Sequence, residues 1–211
     1  MIDPFQTRRV GMTLFTSRSC IEGHACRVVL YEKEVECDVE YVDMGSMNPE
    51  DNPIININPY GESPTLVDRD LELYGSHIIA EYLDERLPHP PLMPPDPVSR
   101  GKVRLMIYRC QRDWFSKLRS YDENNTKPDT ALRKIIGQDL SILAPYLSTE
   151  QFWLGEDFSL ADCFIAPLLW RLSHYGIELP VSTRAIRAYK NRLFNRPSFQ
   201  SSLSSLEREM F

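Results

Sequence analysis

Six prolines fall within the eleven residues from Leu87 to Pro97, in the order Leu-Pro-His-Pro-Pro-Leu-Met-Pro-Pro-Asp-Pro. Proline fixes φ, removes an amide donor and pushes the residue before it out of the helical region. This run is therefore neither helix nor interior strand. It reads as a stiff, extended connector between two stretches of different periodicity. Either it only sets the spacing of two structural units, or it also presents His89 on a fixed surface.

Ahead of the connector the pattern is mixed. Met12 to Phe15 is a short apolar run, and Glu22 to Lys33 is amphipathic. Val35, Cys37, Val39 and Tyr41 alternate with Glu36, Asp38 and Glu40, the period-two signature of a strand. The Pro/Asn-rich stretch Asn48 to Pro59 holds a short apolar patch, Ile54, Ile55 and Ile57, before a Tyr60-Gly61 turn. Thr65-Leu66-Val67 and Leu71-Glu72-Leu73-Tyr74 flank Asp68-Arg69-Asp70 as a hairpin. Ser76 is placed as the N-cap of a helix burying Ile78, Ile79, Tyr82 and Leu83. The predicted order is β-α-β-α-β-β-α.

Beyond the connector the period is 3.6. Val103, Met106, Ile107, Cys110 and Trp114 share one helix face. Leu132, Ile135, Ile136, Leu140 and Leu143 share another, ended by Pro145. Ser159-Leu160-Ala161-Asp162 has the form of a capping box opening the most apolar helix, Cys163 to Leu172. Two shorter helices are expected around Thr183 to Phe194 and Pro197 to Leu206. Trp114, Trp153 and Trp170 sit in helix-period apolar settings and are assigned to the core. The 211 residues suffice for two modest cores, divided as 10–87, a connector 88–98, and 99–211.

The chain carries 30 acidic and 24 basic residues, a net charge of -6. That balance argues against broad nucleic-acid binding, which needs clustered positive charge. A basic stretch from Arg184 to Arg196, containing Arg187, Lys190 and Arg192, is read as a solvated helix face. The five cysteines Cys20, Cys26, Cys37, Cys110 and Cys163 are irregularly spaced, with no CxxC and no zinc-type couplets. Free thiols in a reducing cytoplasm are expected. No apolar run reaches membrane-spanning length, and the start lacks a signal-peptide apolar region.

The β-α-β-α-β-β-α unit, with Ser63-Pro64 opening its hairpin, resembles the thioredoxin-like half of a glutathione transferase. Phe158-Ser159-Leu160-Ala161-Asp162 is similar to the capping motif of that family's helical half. The resemblance implies an α/β thioredoxin-like domain followed by an all-α helical bundle. It also implies a cis peptide before Pro64 and a glutathione site at Ser63, Pro64 and Ser76.

Further phrases resemble the stringent starvation protein A family, a bacterial branch of this fold associated with RNA polymerase. They are Pro64-Thr65-Leu66-Val67-Asp68-Arg69, Glu81-Tyr82-Leu83-Asp84-Glu85-Arg86 and Pro88-His89-Pro90-Pro91-Leu92-Met93-Pro94. Arg112-Asp113-Trp114, the run Ala166 to Leu172 and the tail Glu207-Arg208-Glu209-Met210 complete the set. This resemblance implies a cytoplasmic homodimer that binds RNA polymerase holoenzyme with its main sigma factor and redirects transcription under stress. With it the chain is read as acting by protein contact without catalysis or cofactor, any contact with DNA being indirect. The resemblance also implies that Pro88, His89 and Pro90 form a surface pocket needed for that activity.

Two departures from the transferase pattern bear on catalysis. Transferases place Glu-Ser or Gln-Ser where this chain has Gly75-Ser76, so the hydroxyl survives without its acidic neighbour. Cys20 falls where cysteine-type transferases carry their nucleophile. A helix N-terminus lowers a thiol pKa, and His24 lies one turn on. The motif continues Cys20-Ile21 instead of Cys-Pro, and Gly23 stands where a resolving cysteine would. Cys20 is thus either a spectator or the nucleophile of a glutathione-dependent thiol transferase. Metal binding by Cys20 and His24 is rejected, since they supply only two ligands. Thr16, Ser17 and Ser19 are hydroxyl alternatives in the same loop. His77 and His174 are read as structural or surface histidines.

Overall fold

The computed structural model describes residues 11–124, 126–180 and 183–210. Residues 10 and 211, the outer limits of the expected units, lie outside the described residues, as does most of the N-terminal segment read for a signal peptide. The first unit contains β1 (Met12–Thr16), α1 (Ile21–Glu32), β2 (Cys37–Tyr41), α2 (Ile54–Ile57), β3 (Thr65–Asp68), β4 (Leu71–Tyr74) and α3 (Ser76–Arg86). The sheet order is β2-β1-β3-β4, with β1 parallel to β2 and antiparallel to β3. β1 and β3 are buried along their whole length, whereas β2 alternates, as its period-two pattern predicts.

One face of the sheet, through Met12, Leu14 and Leu66, packs on Ala25, Val28 and Val29 of α1 and Ile79, Ala80 and Leu83 of α3. The other buries Phe15, Val42, Ile54 and Val67 under the short α2. This is the expected thioredoxin-like arrangement, with the Ser63-Pro64 peptide cis. Ile78 is the exception to the α3 reading, since it is 46% exposed.

The second unit is helical. α4 (Pro97–Arg109) runs without a break through a π-helical turn, Cys110–Phe115, into α5 (Ser116–Glu123). α6 (Thr130–Ser141), a short 3-10 turn (Tyr146–Ser148), α7 (Leu160–Tyr175) and α8 (Arg184–Phe194) follow. The last predicted helix is broken in two at Leu203, giving α9 (Pro197–Ser202) and α10 (Ser205–Arg208). Ser204 supplies a fresh cap there, accepting from the Glu207 amide while its own amide donates to the Glu207 carboxylate.

α7 is the apolar axis, buried from Leu160 to Leu172, with the predicted box at its start: Ser159 N–H donates to Asp162 at 2.9 Å. Each fully buried Leu, Ile or Phe along it contributes roughly 1.5–3 kcal/mol. The three tryptophans are buried, while Ile135 of the predicted α6 face is 46% exposed. α1 packs against both α7 and α9, so the two units share one interface. Among the described residues no helix is long and apolar enough to cross a membrane.

Candidate functional site

A cleft of about 120 Å³ opens where the N-terminus of α1 meets α5. Its lining includes Ser17, Ser19, Cys20, Glu22, Met44, Glu62, Ser63, Arg119, Asp122 and Glu123. Cys20 is the N-cap of α1: its sulfur accepts from the Gly23 amide at 3.3 Å, and its thiol points to the Ser63 carbonyl at 3.6 Å. The Ser63 hydroxyl accepts from Ser17 N–H at 3.1 Å and pairs with Thr16 Oγ1 at 3.2 Å. The structure thus sets the Cys20 thiol against the Ser63 carbonyl, beside the cis bond to Pro64, where the family resemblance leads one to expect a reactive thiol.

Their chemistry differs from that expectation. Burial, reinforced by Glu22, raises the Cys20 pKa above its ordinary value, despite the hydrogen bonds from Ser63 and Gly23. The helix N-terminus does not prevail, because desolvation and a neighbouring carboxylate both disfavour the thiolate. His24 gives no help. It is fully buried and outside the cleft lining, where Arg171 donates to Nδ1 at 3.0 Å and Nε2 meets Ser202 Oγ at 3.0 Å. A side chain at Gly23 is excluded too: an added Cβ would lie 1.8 Å from Thr16 Oγ1. A resolving cysteine therefore has no room without displacing Thr16.

Ser76 is a correction. The N-cap of α3 is Gly75, at φ 85°, a backbone region that glycine adopts without a Cβ clash. Ser76 is the first helical residue and is fully buried. Its hydroxyl donates to Glu22 Oε2 at 2.6 Å and accepts from Gln111 Nε2 at 2.9 Å. The acidic neighbour missing at Gly75 is supplied by α1 instead. Arg119 then ties Glu22 (2.9 Å) to Glu62 (2.9 Å) across the cleft mouth. Glu22, Gln111 and Arg119 carry no local motif; only the fold places them together.

Below the cleft lies a buried ionic cluster. Glu207 of α10 accepts from Arg27 (2.5 Å) and Arg171 (2.5 Å), and Arg171 also donates to the Ser19 carbonyl at 3.1 Å. Burial opposes ionisation of Glu207, yet His24, Arg27 and Arg171 together hold its pKa well below the carboxylate range. Burial likewise lowers the His24 pKa well below its usual value. With His24 neutral and its Nδ1 accepting from Arg171, the two guanidiniums are the cations that stabilise Glu207. Asp122 takes Tyr175 O–H at 2.5 Å, and its other oxygen faces Arg171 Nε at 4.0 Å. Burial lifts Asp122 to about 6, with Arg171 and Tyr175 pulling the other way.

The proline connector is both more buried and more displayed than its composition suggests. Leu92 and Met93 are in the core, and their amides donate to Asp84 at 2.8 and 3.1 Å. Buried Lys33 reaches under the turn and donates to Asp84 (2.5 Å), Leu87 C=O (2.8 Å) and Pro90 C=O (2.5 Å). The His89-Pro90 peptide is cis, like Ser63-Pro64. Pro88, His89 and Pro90 themselves are exposed. The adjoining groove of about 750 Å³ begins one residue later, at Pro91, and runs along Leu92, Pro95, Lys102, Leu154 and Phe158.

Among the described residues no group of three or more His, Cys, Asp or Glu side chains is arranged to hold a metal ion. All five cysteines are unbridged.

Comparison with known proteins agrees with this architecture. The family described as Glutathione S-transferase, N-terminal domain matches residues 10–85, and Glutathione S-transferase, C-terminal domain matches residues 89–197. A stringent starvation protein A homolog of Haemophilus influenzae is 43% identical over 198 residues, 93% of this chain and 92% of that one. Its counterpart in Coxiella burnetii is 41% identical over 204 residues, 96% of each chain. Among solved structures, an epsilon-class glutathione S-transferase from housefly has a TM-score of 0.83 at 18% identity, over 94% of both chains. FzlA from C. crescentus has a TM-score of 0.79 at 24% identity, over 92% of both. These two share the fold. With identity above 40% along nearly its whole length, the chain belongs to the stringent starvation protein A family, on the glutathione S-transferase fold.

Proposed function

We propose that this protein is a cytoplasmic, homodimeric regulator that associates with RNA polymerase holoenzyme carrying its main sigma factor. It acts by protein contact during stress and has no glutathione transferase activity. The observation that carries the reading is the Pro88-His89-Pro90 corner: exposed to solvent, yet clamped from behind by Lys33 and Asp84. A surface held this way loses little conformational entropy on docking. The functional units are taken as 10–87, 88–98 and 99–211, with the connector as the contact element between them. Dimerisation is assigned to the α3–α4 face, where Ile78, Leu105 and Tyr108 are 46%, 53% and 51% exposed.

The cleft supports the non-catalytic side of the reading. Glutathione is a net anion that must be bound and deprotonated at sulfur. Here Glu22, Glu62, Asp122 and Glu123 line the cleft against one arginine, Ser76 is spent on Glu22 and Gln111, and the Cys20 thiol is held protonated. Two measurements test the proposal. Immobilised protein should retain RNA polymerase holoenzyme, and the Pro88/His89/Pro90 triple-alanine variant should retain much less. Full retention by that variant removes the corner from the contact. Calorimetric titration should show no glutathione binding. Micromolar affinity, with thiol-transferase activity lost in Cys20→Ala, establishes the enzymatic alternative instead.

A further inference from the structure

The basic stretch from Arg184 to Arg196 is not an ordinary solvated face. Between Glu178 and Glu207 there is no acidic residue, while Arg184, Arg187, Lys190, Arg192 and Arg196 all lie there, in a protein of net charge -6. Three arginines of α4 have carboxylate partners: Arg100 with Glu85, Arg104 with Glu81, Arg109 with Asp113. Arg196 is likewise paired, with Glu32 at 2.6 Å. Arg184 and Arg187 are exposed and have no carboxylate partner among the described residues.

These charges border a groove. A depression of about 750 Å³ runs between α8 and the 141–148 segment. Its α8 wall is Arg184, Ala185, Ala188 and Arg192, at helical spacing on one face. The opposite wall includes Ser141, Ala144, Pro145, Leu147 and Ser148, Thr183 caps the α8 end, and no carboxylate lines the groove. Arg192 is held in place by donating Nε–H to Gln151 C=O at 2.9 Å. Exposed Ile142 and Tyr146, 60% and 63% accessible, stand in the same segment. Arg187, exposed and one turn along α8 from Arg184, adds a further positive charge, and Lys190 has its pKa lowered by burial and by Arg187.

We propose that the groove between α8 and residues 141–148 docks a short acidic segment of a partner protein, its carboxylates on Arg184, Arg187 and Arg192 and its apolar side chains on Ala144, Leu147 and Ala188. The eleven residues of α8 span about 16 Å, enough for about five residues of extended peptide. Complementary charge on such a groove adds encounter rate and selectivity. The occupant is a peptide and not duplex DNA for two reasons. The small apolar floor offers contacts that a phosphate backbone does not use. A duplex would also bring a continuous line of phosphates against the acidic remainder of the surface, whereas a short peptide feels charges only within about 8 Å. This inference is independent of the polymerase reading and of the Pro88-His89-Pro90 corner.

The test is fluorescence anisotropy on the full chain with a labelled peptide of about six residues, alternating Glu with Leu and Ser. Saturable binding at or below about 1 mM is expected, weakening as salt rises, and absent for the same peptide with Lys in place of Glu. Arg184→Glu with Arg187→Glu should weaken it about tenfold. Ala188→Trp, which fills the groove at unchanged charge, should weaken it as well. Absence of saturable binding, or undiminished binding by both variants, overturns the proposal. Tighter binding of a duplex DNA than of the peptide at equal salt overturns the choice of partner. The Pro88/His89/Pro90 triple-alanine variant should bind the peptide as wild type does, so failure here and failure of the polymerase contact are distinguishable.

Discussion

Replacing Glu207 with Gln removes one negative charge from a site that is fully buried and holds two guanidiniums. The amide keeps the volume, so no cavity term enters. What remains is Arg27 and Arg171 facing each other with their counter-ion gone, although Arg27 Nε keeps the Ser202 carbonyl at 2.8 Å and Arg171 keeps that of Ser19. Removing one partner of a buried ion pair costs about 3–5 kcal/mol, and here one carboxylate serves two cations. For a chain of this size each kcal/mol moves the melting midpoint by about 2–4 °C. Glu207→Gln should therefore lower Tm by roughly 6–20 °C at pH 7. The exposed neighbour Glu209→Gln should change stability by no more than about 0.5 kcal/mol. The pH dependence follows from the depressed pKa of Glu207. Its stabilisation is complete above the unfolded-state value near 4.5 and is lost as pH falls through the lower folded-state value. The gap between variant and wild type should hold from pH 8 to about 5 and narrow below that. A Glu207→Gln protein within about 1 kcal/mol of wild type in urea denaturation at pH 7 would refute the reasoning.

Lys33→Met should cost about 3 kcal/mol by leaving Asp84 buried without its cation. It should also speed hydrogen exchange at the Leu92 and Met93 amides; unchanged exchange there would mean that Lys33 does not hold the connector. Cys20 should react slowly with iodoacetamide at pH 7 and faster through the alkaline range, because its pKa is raised. A rate already at its plateau by pH 7 contradicts the desolvated thiol. Asp122, lifted from 3.8 to about 6 mainly by burial, binds its proton more tightly in the folded state. It therefore withdraws roughly 3 kcal/mol of stability as pH rises from about 4 to 6.5. His24, with its lowered folded-state pKa, acts in the opposite sense over part of that window. The difference between wild type and Asp122→Asn isolates the carboxyl, and a pH-independent difference would exclude the assignment.

The fold was legible where its signal is local. The alternation from Val35 to Tyr41, the Ser159–Asp162 box and the hairpin around Arg69 are each set by neighbours in sequence, and all three stand. The misreadings have a common cause. Ser76 has the right chemistry for an N-cap, but Gly75 can adopt φ 85° and takes that place, which frees the serine hydroxyl for Glu22. Cys20 does sit at a helix N-terminus, yet the sign of its pKa shift is decided by burial and by Glu22, which sequence cannot place. Ile78 and Ile135 fit helical periodicity and still face outward, because period specifies a stripe and not its width. The connector's prolines announce rigidity; that Lys33, some fifty residues earlier, clamps it is a tertiary fact. Glu22, Arg119 and Glu207 were invisible as a set for the same reason.

The π-helical turn at Cys110–Phe115 deserves to be considered as a phase shifter. Relative to a continuous α-helix it inserts one residue, which rotates everything downstream by about 100° about the helix axis. That rotation carries Arg119 to the cleft mouth and buries Leu118 and Asp122, while Gln111, inside the turn, reaches back to Ser76. A relative that lacks one residue between Arg109 and Ser116 would close the turn into continuous α-helix and keep both the α4 face and Arg119 in place. In this fold a single-residue gap at that place leaves the cleft wired as it is, whereas the present sequence wound as unbroken α-helix would turn Arg119 away from Glu22.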